Sequence, residues 1–480
     1  MSAMVSSMDV SHLIGGEWVA GALDEMRSNP ARPDELVSRA PNGDAGVVGA
    51  AVGAAAEASS AWAATPGQAR GEMLARAAFN LRGRATEVAA LLSREEGKTL
   101  AESIAEVDRA ARMLSFYSAH GWLPLGENLP SADDRMHLYT TREPVGVVGI
   151  ITPWNFPLAI PVWKLAPALV AGNTVVMKPA SIVPGTMQLL IECLLEAGLP
   201  AGVLNVVHGA GSLAGQAIVN DSRVAAVSFT GSSAVGRRIN VAAAERMARV
   251  QLEMGGKNGV VVLPDADMEL AADICTRGAF GLTGQACTAT SRVIVLRRDE
   301  KRFLDALTER TRRIRTGDPL DPTTTMGPVV SDSQLETDLG FIRRGEADGG
   351  QVLAGGAAEG LFLEPTILRN VHPESSLARE EVFGPVLSVL VADSTEDAQR
   401  LLNDTEYGLS AGVVTHDLAA AMNFSRGTKA GVVKVNRLTT GTDVNAPFGG
   451  MGASSNGTFR EQGFTATDFF TRVKTVYVGH

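Results

Sequence analysis

The sequence has too few cysteines for a disulfide framework. Cys193, Cys275 and Cys287 are the only three among 480 residues. Small secreted proteins that depend on disulfides need an even and much denser set, so the odd count favours a reducing compartment. We therefore expect a cytoplasmic protein.

The chain also lacks a block of positive charge. Lys and Arg number 43 against 53 Asp and Glu, which gives a net charge of −10. Without a basic cluster to neutralise a phosphate backbone, nucleic acid is not expected as a partner. The first 21 residues have neither a basic flank nor a continuous apolar stretch, so they do not predict a signal peptide.

One segment is long enough and apolar enough to raise the question of a membrane span. Residues 144–163 carry no charge over 20 positions. Pro153, Pro157 and Pro161 interrupt this segment, and each would leave backbone groups unsatisfied in lipid. We expect a buried segment of a globular protein and no association with a membrane.

Strand-like and helix-like runs alternate along most of the chain, which is typical of an α/β protein with mainly parallel sheets. A chain of 480 residues is too long for one compact core, so two or three domains are expected. Helical patterns cover residues 66–119. Four short apolar strands between 146 and 231 alternate with helices, as in a dinucleotide-binding sheet, and five more follow between 258 and 436. The motif content changes at 253–256, which marks the expected domain boundary.

Cys287 lies in the sequence GLTGQACTATSRVIVL, a turn rich in glycine directly before a strong predicted strand. A thiolate is a potent nucleophile, and such a turn can present it at the mouth of a cleft. Most free cysteines are instead small buried apolar residues. We interpret Cys193 and Cys275 in that way, and for Cys287 both interpretations stay open on spacing alone.

Two further polar residues lie where their side chains need a partner. Glu253, in VQLEMGGKN, is suited to a general base, although a solvated loop carboxylate is the better explanation when this residue is taken alone. Asn155 lies between aromatic and proline residues in TPWNFP, and a side-chain amide of this kind is what an oxyanion hole requires. The seven histidines show no metal-ligand spacing, so no metal site is predicted.

Two glycine-rich turns each connect a predicted strand to a predicted helix. The turn 208–215, HGAGSLAG, includes Gly211 and is one residue longer than the usual dinucleotide fingerprint. The turn 229–236, FTGSSAVG, includes Gly231 and Ser232, and backbone amides at a helix start can hold a pyrophosphate. Each turn alone is a weak signal, but two in successive βα units favour nucleotide binding.

Seven motifs occur in one order over residues 152–450, namely TPWNFP, KPAS, FTGSSAVG, LEMGGKN, GQACTATSR, EEVFGPV and APFGG. Together they resemble the aldehyde dehydrogenase superfamily, from about residue 12 to the C-terminus. The resemblance implies an α/β fold with a Rossmann-type NAD(P)-binding domain (1–122 and 145–254), an α/β catalytic domain (255–455) and a small β bridging or oligomerisation element (123–144 and 466–480). It also implies oxidation of an aldehyde to a carboxylate with NAD or NADP, by a homodimer or homotetramer.

The resemblance also assigns roles to individual residues. Cys287 is expected to add to the aldehyde carbon, while the Asn155 side chain and the Cys287 backbone N–H hold the oxyanion. Hydride transfer to the nicotinamide would leave a thioester, and Glu253 would activate the water that hydrolyses it, with Lys164 as proton-relay partner. The residues that match cofactor contacts are Trp154, Lys178, Ser181, Gly211, Gly231, Ser232, Met254, Glu381 and Phe383.

Departures from the family pattern concern the cofactor and the substrate. Ser181 stands where many NAD-preferring members have glutamate, which removes the main barrier to a 2′-phosphate, and Lys178 is nearby to pair with it. NADP is therefore expected to serve at least as well as NAD. The substrate tunnel keeps three aromatic residues. Two other positions that are commonly aromatic in the family are occupied here by Gly281 and Thr442, so a wider and more polar tunnel is expected. The three aromatic residues are Phe156, Trp163 and Phe448.

Arg109 is the expected substrate anchor. It lies close to the apolar side of a helical pattern over residues 105–118, where the resemblance places an apolar residue at the tunnel mouth. Its guanidinium is expected to fork onto the far carboxylate of a semialdehyde. The alternative is a solvent-facing arginine paired with Asp108 or Glu106.

The C-terminal sequence KVNRLTTGTDVNAPFGGMGASSNGTFREQG, with GQACTATSR, resembles dehydrogenases for 2-oxoglutarate semialdehyde (2,5-dioxopentanoate). Dehydrogenases for succinate semialdehyde and aromatic aldehydes share most of these motifs and remain alternatives. A thiol esterase that needs no cofactor and a catalytically silent homologue are two other classes. The two glycine-rich turns argue against the esterase, and the complete set of Cys287, Glu253 and Asn155 argues against the silent homologue.

Overall fold

The first predicted series of strands forms one seven-stranded sheet in the computed structural model, which describes residues 7–479. Five consecutive strands, from the edge strand Arg249–Met254 to Leu204–Val206, run parallel, and the order places Val147–Ile151 directly beside Val224–Gly231. At such a switch of strand order a crevice opens at the carboxyl ends of the strands. In spatial order the strands are Arg249–Met254, Val224–Gly231, Val147–Ile151, Thr174–Lys178, Leu204–Val206, His12–Ile14 and Glu17–Val19.

The second predicted series forms another seven-stranded sheet. Its strands are parallel except at one edge, where Gln351–Ala354 pairs antiparallel with Thr366–Arg369. The chain passes from the first sheet to the second between Met254 and Gly259. The predicted domain ranges nevertheless stay a prediction, because a change of sheet does not by itself define a unit that folds independently. In spatial order the strands are Gln351–Ala354, Thr366–Arg369, Val386–Ala392, Arg292–Leu296, Gly259–Val262, Ser410–Val414 and Val432–Val435.

A smaller sheet joins the two segments predicted as a bridging element. Thr471–Gly479 pairs antiparallel with Met136–Pro144 along nine residues of each, and Asn128–Leu129 adds a third strand. Residues 1–6 and 480 of the predicted ranges lie outside the described residues. The remaining strands form a three-stranded sheet and two short pairs: Met8–Asp9, Arg32–Ala40 and Glu25–Asn29; Ala358–Glu359 with Phe362–Leu363; and Tyr407–Gly408 with Met451–Gly452.

Helices cover the faces of the sheets, and the helical prediction for residues 66–119 is confirmed. The Leu100–Ser118 helix begins at a capping box, in which Thr99 and Glu102 satisfy each other's backbone N–H groups. The helices are Ala45–Ala64, Gly67–Gly83, Ala85–Glu96, Leu100–Ser118, Ala159–Val170, Pro184–Glu196, Gln216–Asn220, Ser233–Glu245, Met268–Phe280, Glu300–Thr311, Asp332–Ala347, Ser376–Arg379, Thr395–Asn403, Leu418–Gly427 and Ala466–Phe470.

Among residues 7–479 one helix, Ala45–Ala64, is long and apolar enough to cross a membrane by length and composition alone. Its residues Val48, Val52 and Ala55 are buried in the protein core. The uncharged segment 144–163 forms a buried strand and the start of the Ala159–Val170 helix, every residue of which is buried. This segment is therefore core, as the interrupting prolines predicted.

Candidate active site

Cys287 lines a cavity of about 410 Å³ together with the predicted substrate residues Phe156, Trp163, Phe448 and Arg109. The rings of Trp163 and Phe448 lie 5.6 Å apart. The structure thus brings together residues that are far apart in the sequence around a single thiol. The space is large enough for a small organic molecule whose reacting carbon faces the sulfur.

Thr442 lines this cavity and Gly281 the adjoining one, and Leu282 lies on the wall of both. A Cβ atom added at Gly281 would meet nothing within 4 Å, so glycine leaves open space there. Gly281 therefore leaves space in the adjoining cavity, while the wider and more polar tunnel stays a prediction.

The Cys287 thiol is half-buried, whereas Cys193 and Cys275 are fully buried, as the sequence suggested for both. Burial raises the pKa of the Cys287 thiol to about 12, with further contributions from the carboxyl groups of Glu381 and Glu253. The thiol is therefore protonated near neutral pH in this arrangement. It needs a base, or a positive charge brought by a ligand, to become a nucleophile.

The side chain of Asn155 is held against the loop that carries the thiol. Its Nδ2 group donates to the Gln285 carbonyl at 2.9 Å, and its own backbone carbonyl accepts from Lys98 Nζ at 2.6 Å. Lys98 in turn pairs with Glu106 at 2.5 Å, and both side chains are buried. One amide proton of Asn155 is thus engaged, and the second has no acceptor among the described residues, which leaves it available to an oxyanion, although Asn155 does not itself line the cavity.

Glu253 lies at the end of its strand, but it does not line the cavity of Cys287. Its Oε2 accepts from the Gly450 backbone N–H at 3.0 Å, while its Oε1 is buried without a hydrogen-bond partner among the described residues. Burial raises the pKa of this carboxyl well above its usual value, and the nearby Glu461 raises it further. The side chain must rotate away from Gly450 before it can act at the sulfur.

Lys164 does not contact Glu253 directly, and its role as a relay partner of Glu253 stays a prediction. Its buried Nζ forms an ion pair with Glu461 and donates to Ser228 Oγ at 2.9 Å. Phe448 and Glu461 exchange backbone hydrogen bonds, and this antiparallel bridge places Glu461 beside Glu253 and Lys164. Any relay therefore runs through Glu461, which sequence reasoning missed because nothing in FREQG distinguishes this acid from a surface charge.

The alternative of a solvent-facing Arg109 is wrong. Its half-buried guanidinium donates to the carbonyl and hydroxyl oxygens of Thr442, the latter at 2.5 Å, and to Gln462 Oε1 at 3.1 Å. Asp108 pairs with Arg112 at 2.7 Å, while Glu106 pairs with Lys98. Three of the five N–H groups of Arg109 are thus engaged, so a fork onto a substrate carboxylate requires exchange of a protein acceptor.

The crevice at the switch of strand order has the features that a dinucleotide needs. Thr152 directly follows one of the two adjoining strands, and Thr230 lies near the end of the other. Their hydroxyls are buried without a hydrogen-bond partner among the described residues. Gly231 ends the second strand, and Ser232 caps the next helix without a side-chain hydrogen bond, so the first backbone amides stay available. The described residues therefore fit NAD(P).

The other predicted cofactor residues lie at the same sheet edge. Lys178 Nζ donates to the Pro179 carbonyl at 2.8 Å, and burial lowers the pKa of Lys178 to about 8. The Ser181 hydroxyl donates to the Gly209 carbonyl at 3.1 Å, and Gly211 is exposed in the turn that follows Leu204–Val206.

A third group of predicted cofactor residues connects the two sheets. The rings of Trp154 and Phe383 meet edge to face at 5.5 Å. Glu381 Oε1 accepts from the Gly256 backbone N–H at 2.9 Å, while buried Met254 packs close to Gly236. Segments from both sheets thus border the crevice next to the thiol.

Comparison with known proteins agrees with this geometry. The sequence model of the Aldehyde dehydrogenase family matches residues 18–476. The chain is 44% identical to a Bacillus subtilis protein named alpha-ketoglutaric semialdehyde dehydrogenase, covering 100% of both chains. It is 45% identical to a Saccharolobus solfataricus protein named 2,5-dioxopentanoate dehydrogenase, over 97% of this chain and 98% of that one. A crystal structure of an NAD-dependent aldehyde dehydrogenase from Sinorhizobium meliloti superposes with a TM-score of 0.96 at 35% identity, covering 99% of this chain and 96% of that one.

Proposed function

The chain belongs to the aldehyde dehydrogenase family, and we propose that it oxidises 2-oxoglutarate semialdehyde to the dicarboxylate with NAD(P)+. Two relatives at 44% and 45% identity carry names for this activity. The observation that carries the proposal is the charge of the residues that line the cavity. Among the described residues that line the Cys287 cavity, Arg109 is the one with a positive charge. The two carboxylates in that lining, Glu102 and Glu106, are engaged by Leu282 and Lys98, so the cavity suits an aldehyde with a distant carboxylate.

The reaction begins at the sulfur of Cys287. The thiol releases its proton to water, and the thiolate adds to the aldehyde carbon. This gives a thiohemiacetal anion whose oxygen is held by the second amide proton of Asn155 and the Cys287 backbone N–H. NAD(P)+, when bound, accepts the hydride from that carbon. Collapse of the thiohemiacetal leaves a thioester on the sulfur.

Hydrolysis of the thioester requires a base. Glu253, once rotated from Gly450, takes a proton from water as the water attacks the thioester carbon and the thiol leaves. The raised pKa of this buried carboxyl makes it a stronger base than an exposed glutamate. The Glu461 carboxylate receives the proton next, because it adjoins Glu253, while the Lys164 ammonium paired with it holds that carboxylate in place.

The cofactor is proposed to be NADP at least as readily as NAD. Ser181 brings no negative charge to the edge where the adenosine ribose would lie, so a 2′-phosphate meets no repulsion from this position. Lys178 lies three positions earlier and is the candidate to pair with that phosphate. Because its amine now donates to the Pro179 carbonyl, it must turn to do so.

A cytoplasmic homodimer or homotetramer is part of the same proposal. The strand Thr471–Gly479 exposes Val473 and Tyr477, whose relative exposures are 61% and 66%. Exposed apolar residues on a strand favour pairing with another chain. The three cysteines are free, which suits a reducing compartment.

A substrate panel tests the proposal. Formation of reduced cofactor is followed with 2-oxoglutarate semialdehyde, succinate semialdehyde, benzaldehyde and pentanal, each with NAD+ and with NADP+. We expect kcat/KM to be highest for 2-oxoglutarate semialdehyde and at least about tenfold lower for the two uncharged aldehydes. Equal values for pentanal would overturn the carboxylate assignment. Hydrolysis of thiol esters without any reduced cofactor would instead indicate the esterase.

A further inference from the structure

Three charged residues on one face of the Leu100–Ser118 helix each hold a different segment of the active site. Glu102, Glu106 and Arg109 are spaced so that they share that face. Glu106 accepts from the backbone N–H groups that begin the Ala159–Val170 helix, and Arg109 binds Thr442. Glu102 Oε1 accepts from the Leu282 backbone N–H at 2.7 Å. Among these three residues, Glu102 is the one in contact with the loop of the nucleophile.

The turn that Glu102 holds has an unfavourable backbone conformation. Leu282 and Thr283 have φ angles of 56° and 55°, and Gly284 follows at 68°. Left-handed backbone is unfavourable for residues with a Cβ, particularly for a β-branched residue such as threonine. Such a conformation persists only where its surroundings enforce it. The turn lies immediately before Gln285 and Cys287, so its conformation determines where the sulfur lies.

Specific contacts with other segments hold the turn in this conformation. Thr283 Oγ1 donates to the Gly327 carbonyl at 3.1 Å, and a Cβ atom at Gly284 would lie 2.2 Å from the Gly384 carbonyl oxygen. Glu102 supplies the charged acceptor in this set, and a carboxylate forms a stronger hydrogen bond than a neutral oxygen. Its Oε2 accepts from the Thr99 backbone N–H at 2.9 Å and from the Thr99 hydroxyl at 2.8 Å, so the carboxylate is held at both oxygens, and the backbone bond does not depend on the hydroxyl.

We propose that Glu102 is a positioning residue, which holds the left-handed turn at Leu282 and thereby sets Cys287 and the Gln285 carbonyl for catalysis. Because Gln285 accepts the Asn155 amide at 2.9 Å, the same turn orients the oxyanion donor. This inference rests on the proposed role of Cys287 as the nucleophile. A second role of Glu102, as the capping residue of its helix, belongs to stability alone.

The experiment separates positioning from capping with two single variants. Glu102→Ala removes the acceptor of the Leu282 N–H, whereas Thr99→Ala weakens the same helix cap and leaves that acceptor in place. We expect Glu102→Ala to lower kcat by about 10- to 100-fold with KM changed by less than about threefold, because small displacements of reacting groups have effects of this size. Thr99→Ala should lower Tm and keep kcat within about twofold. Glu102→Gln, which keeps an oxygen acceptor, should retain more activity than Glu102→Ala.

A double-variant cycle tests the turn itself. Glycine adopts the left-handed conformation readily, so in a Leu282→Gly background the loss of kcat caused by Glu102→Ala should shrink by at least about threefold. Equal losses in both backgrounds would overturn the proposal. So would a Thr99→Ala variant whose kcat falls as far as that of Glu102→Ala.

A chemical readout is independent of turnover. Cys193 and Cys275 are fully buried, so alkylation of the folded protein by iodoacetamide reports on Cys287. We expect Glu102→Ala, but not Thr99→Ala, to change the alkylation rate and its pH profile, and unchanged profiles would contradict positioning. If Cys287→Ala kept its dehydrogenase activity, the proposed function would fail, whereas the alkylation result would still show whether Glu102 sets the sulfur.

Discussion

The side-chain amide of Asn155 donates to the carbonyl of Gln285 at 2.9 Å, two residues before Cys287. The group that is expected to hold the oxyanion is therefore bonded to the loop that carries the nucleophile. A displacement of that loop moves both together, which preserves their spacing. Preorganisation of this kind contributes to catalysis because no reorganisation is needed when charge develops on the substrate oxygen.

Cys287→Ala should abolish dehydrogenase turnover while cofactor binding persists. The substitution removes the sulfur that adds to the aldehyde, and the crevice at the switch of strand order is left intact. Calorimetry measures whether NADP+ still binds, and the absorbance of reduced cofactor measures whether turnover is lost. Cys275→Ala, at a fully buried thiol away from the cavity, is the matched control and should retain turnover. Loss of cofactor binding in folded Cys287→Ala would contradict the assigned role.

Glu253→Gln should release a burst of reduced cofactor followed by slow turnover, since the thioester forms but is not hydrolysed. The pKa of Glu253 is raised by burial, so its basic form increases as pH rises through that raised value. Thioester hydrolysis in the wild type should therefore accelerate with pH, while Glu253→Gln shows a flat profile over the same range. Stopped-flow kinetics resolve the burst. An unchanged steady-state rate at neutral pH would refute the assignment.

Ser181→Glu should shift cofactor preference toward NAD. The new carboxylate would lie beside the 2′-phosphate of NADP, and juxtaposed like charges cost several kcal/mol, so the ratio of kcat/KM values should change by more than about tenfold. Ser181→Gln introduces a side chain of nearly the same size as glutamate but without its charge. It should shift the ratio of kcat/KM values much less. If Ser181→Glu keeps the wild-type ratio, the 2′-position is recognised elsewhere.

Arg109→Leu should raise KM for 2-oxoglutarate semialdehyde by roughly 10- to 150-fold, since a charge-assisted contact contributes about 1.5–3 kcal/mol. Pentanal should be affected far less, and Arg109→Lys should restore only part of the loss. Arg112→Leu, an exposed residue on the same helix, is the control and should leave both KM values unchanged. Equal effects on both aldehydes would mean that Arg109 serves only to hold Thr442 and Gln462.

Asp338→Asn should stabilise the protein at high pH. Burial raises the pKa of Asp338 from 3.8 to about 8, and its Oδ2 has no hydrogen-bond partner among the described residues. The folded state therefore holds a proton that the unfolded state releases, so stability falls as pH rises from about 4 to about 8, by at most about 1.4 kcal/mol per pH unit. The variant should lack this slope. Thermal midpoints measured from pH 4.5 to 8.5 check it, and parallel curves for both proteins would be the contrary result.

The sequence by itself determined the strands and helices around the site, because each is encoded by a local apolar pattern. Strands such as Val147–Ile151 and Thr174–Lys178 are buried at every residue, and continuous apolar runs mark strands covered on both faces. The motifs around Cys287, Asn155 and Gly231 could also be recognised in the sequence, since turn residues and short spacings depend only on neighbouring positions. The capping box at Thr99 is likewise a local pattern, but it specifies only the start of a helix.

Only the tertiary structure decided which charged groups meet. Lys164 pairs with Glu461 across 297 positions, Arg109 binds Thr442 across 333, and Glu102 holds Leu282 across 180. In the sequence, Glu102 and Glu106 look like the solvated side of a helix and Arg109 lies near its apolar side, because periodicity reports which face is apolar and nothing about the partner of a polar group. Their roles arise when folding removes water from them, since a buried charge must then find a specific acceptor or donor. That requirement is met by distant segments, so the positions of the site's charges are a property of the fold.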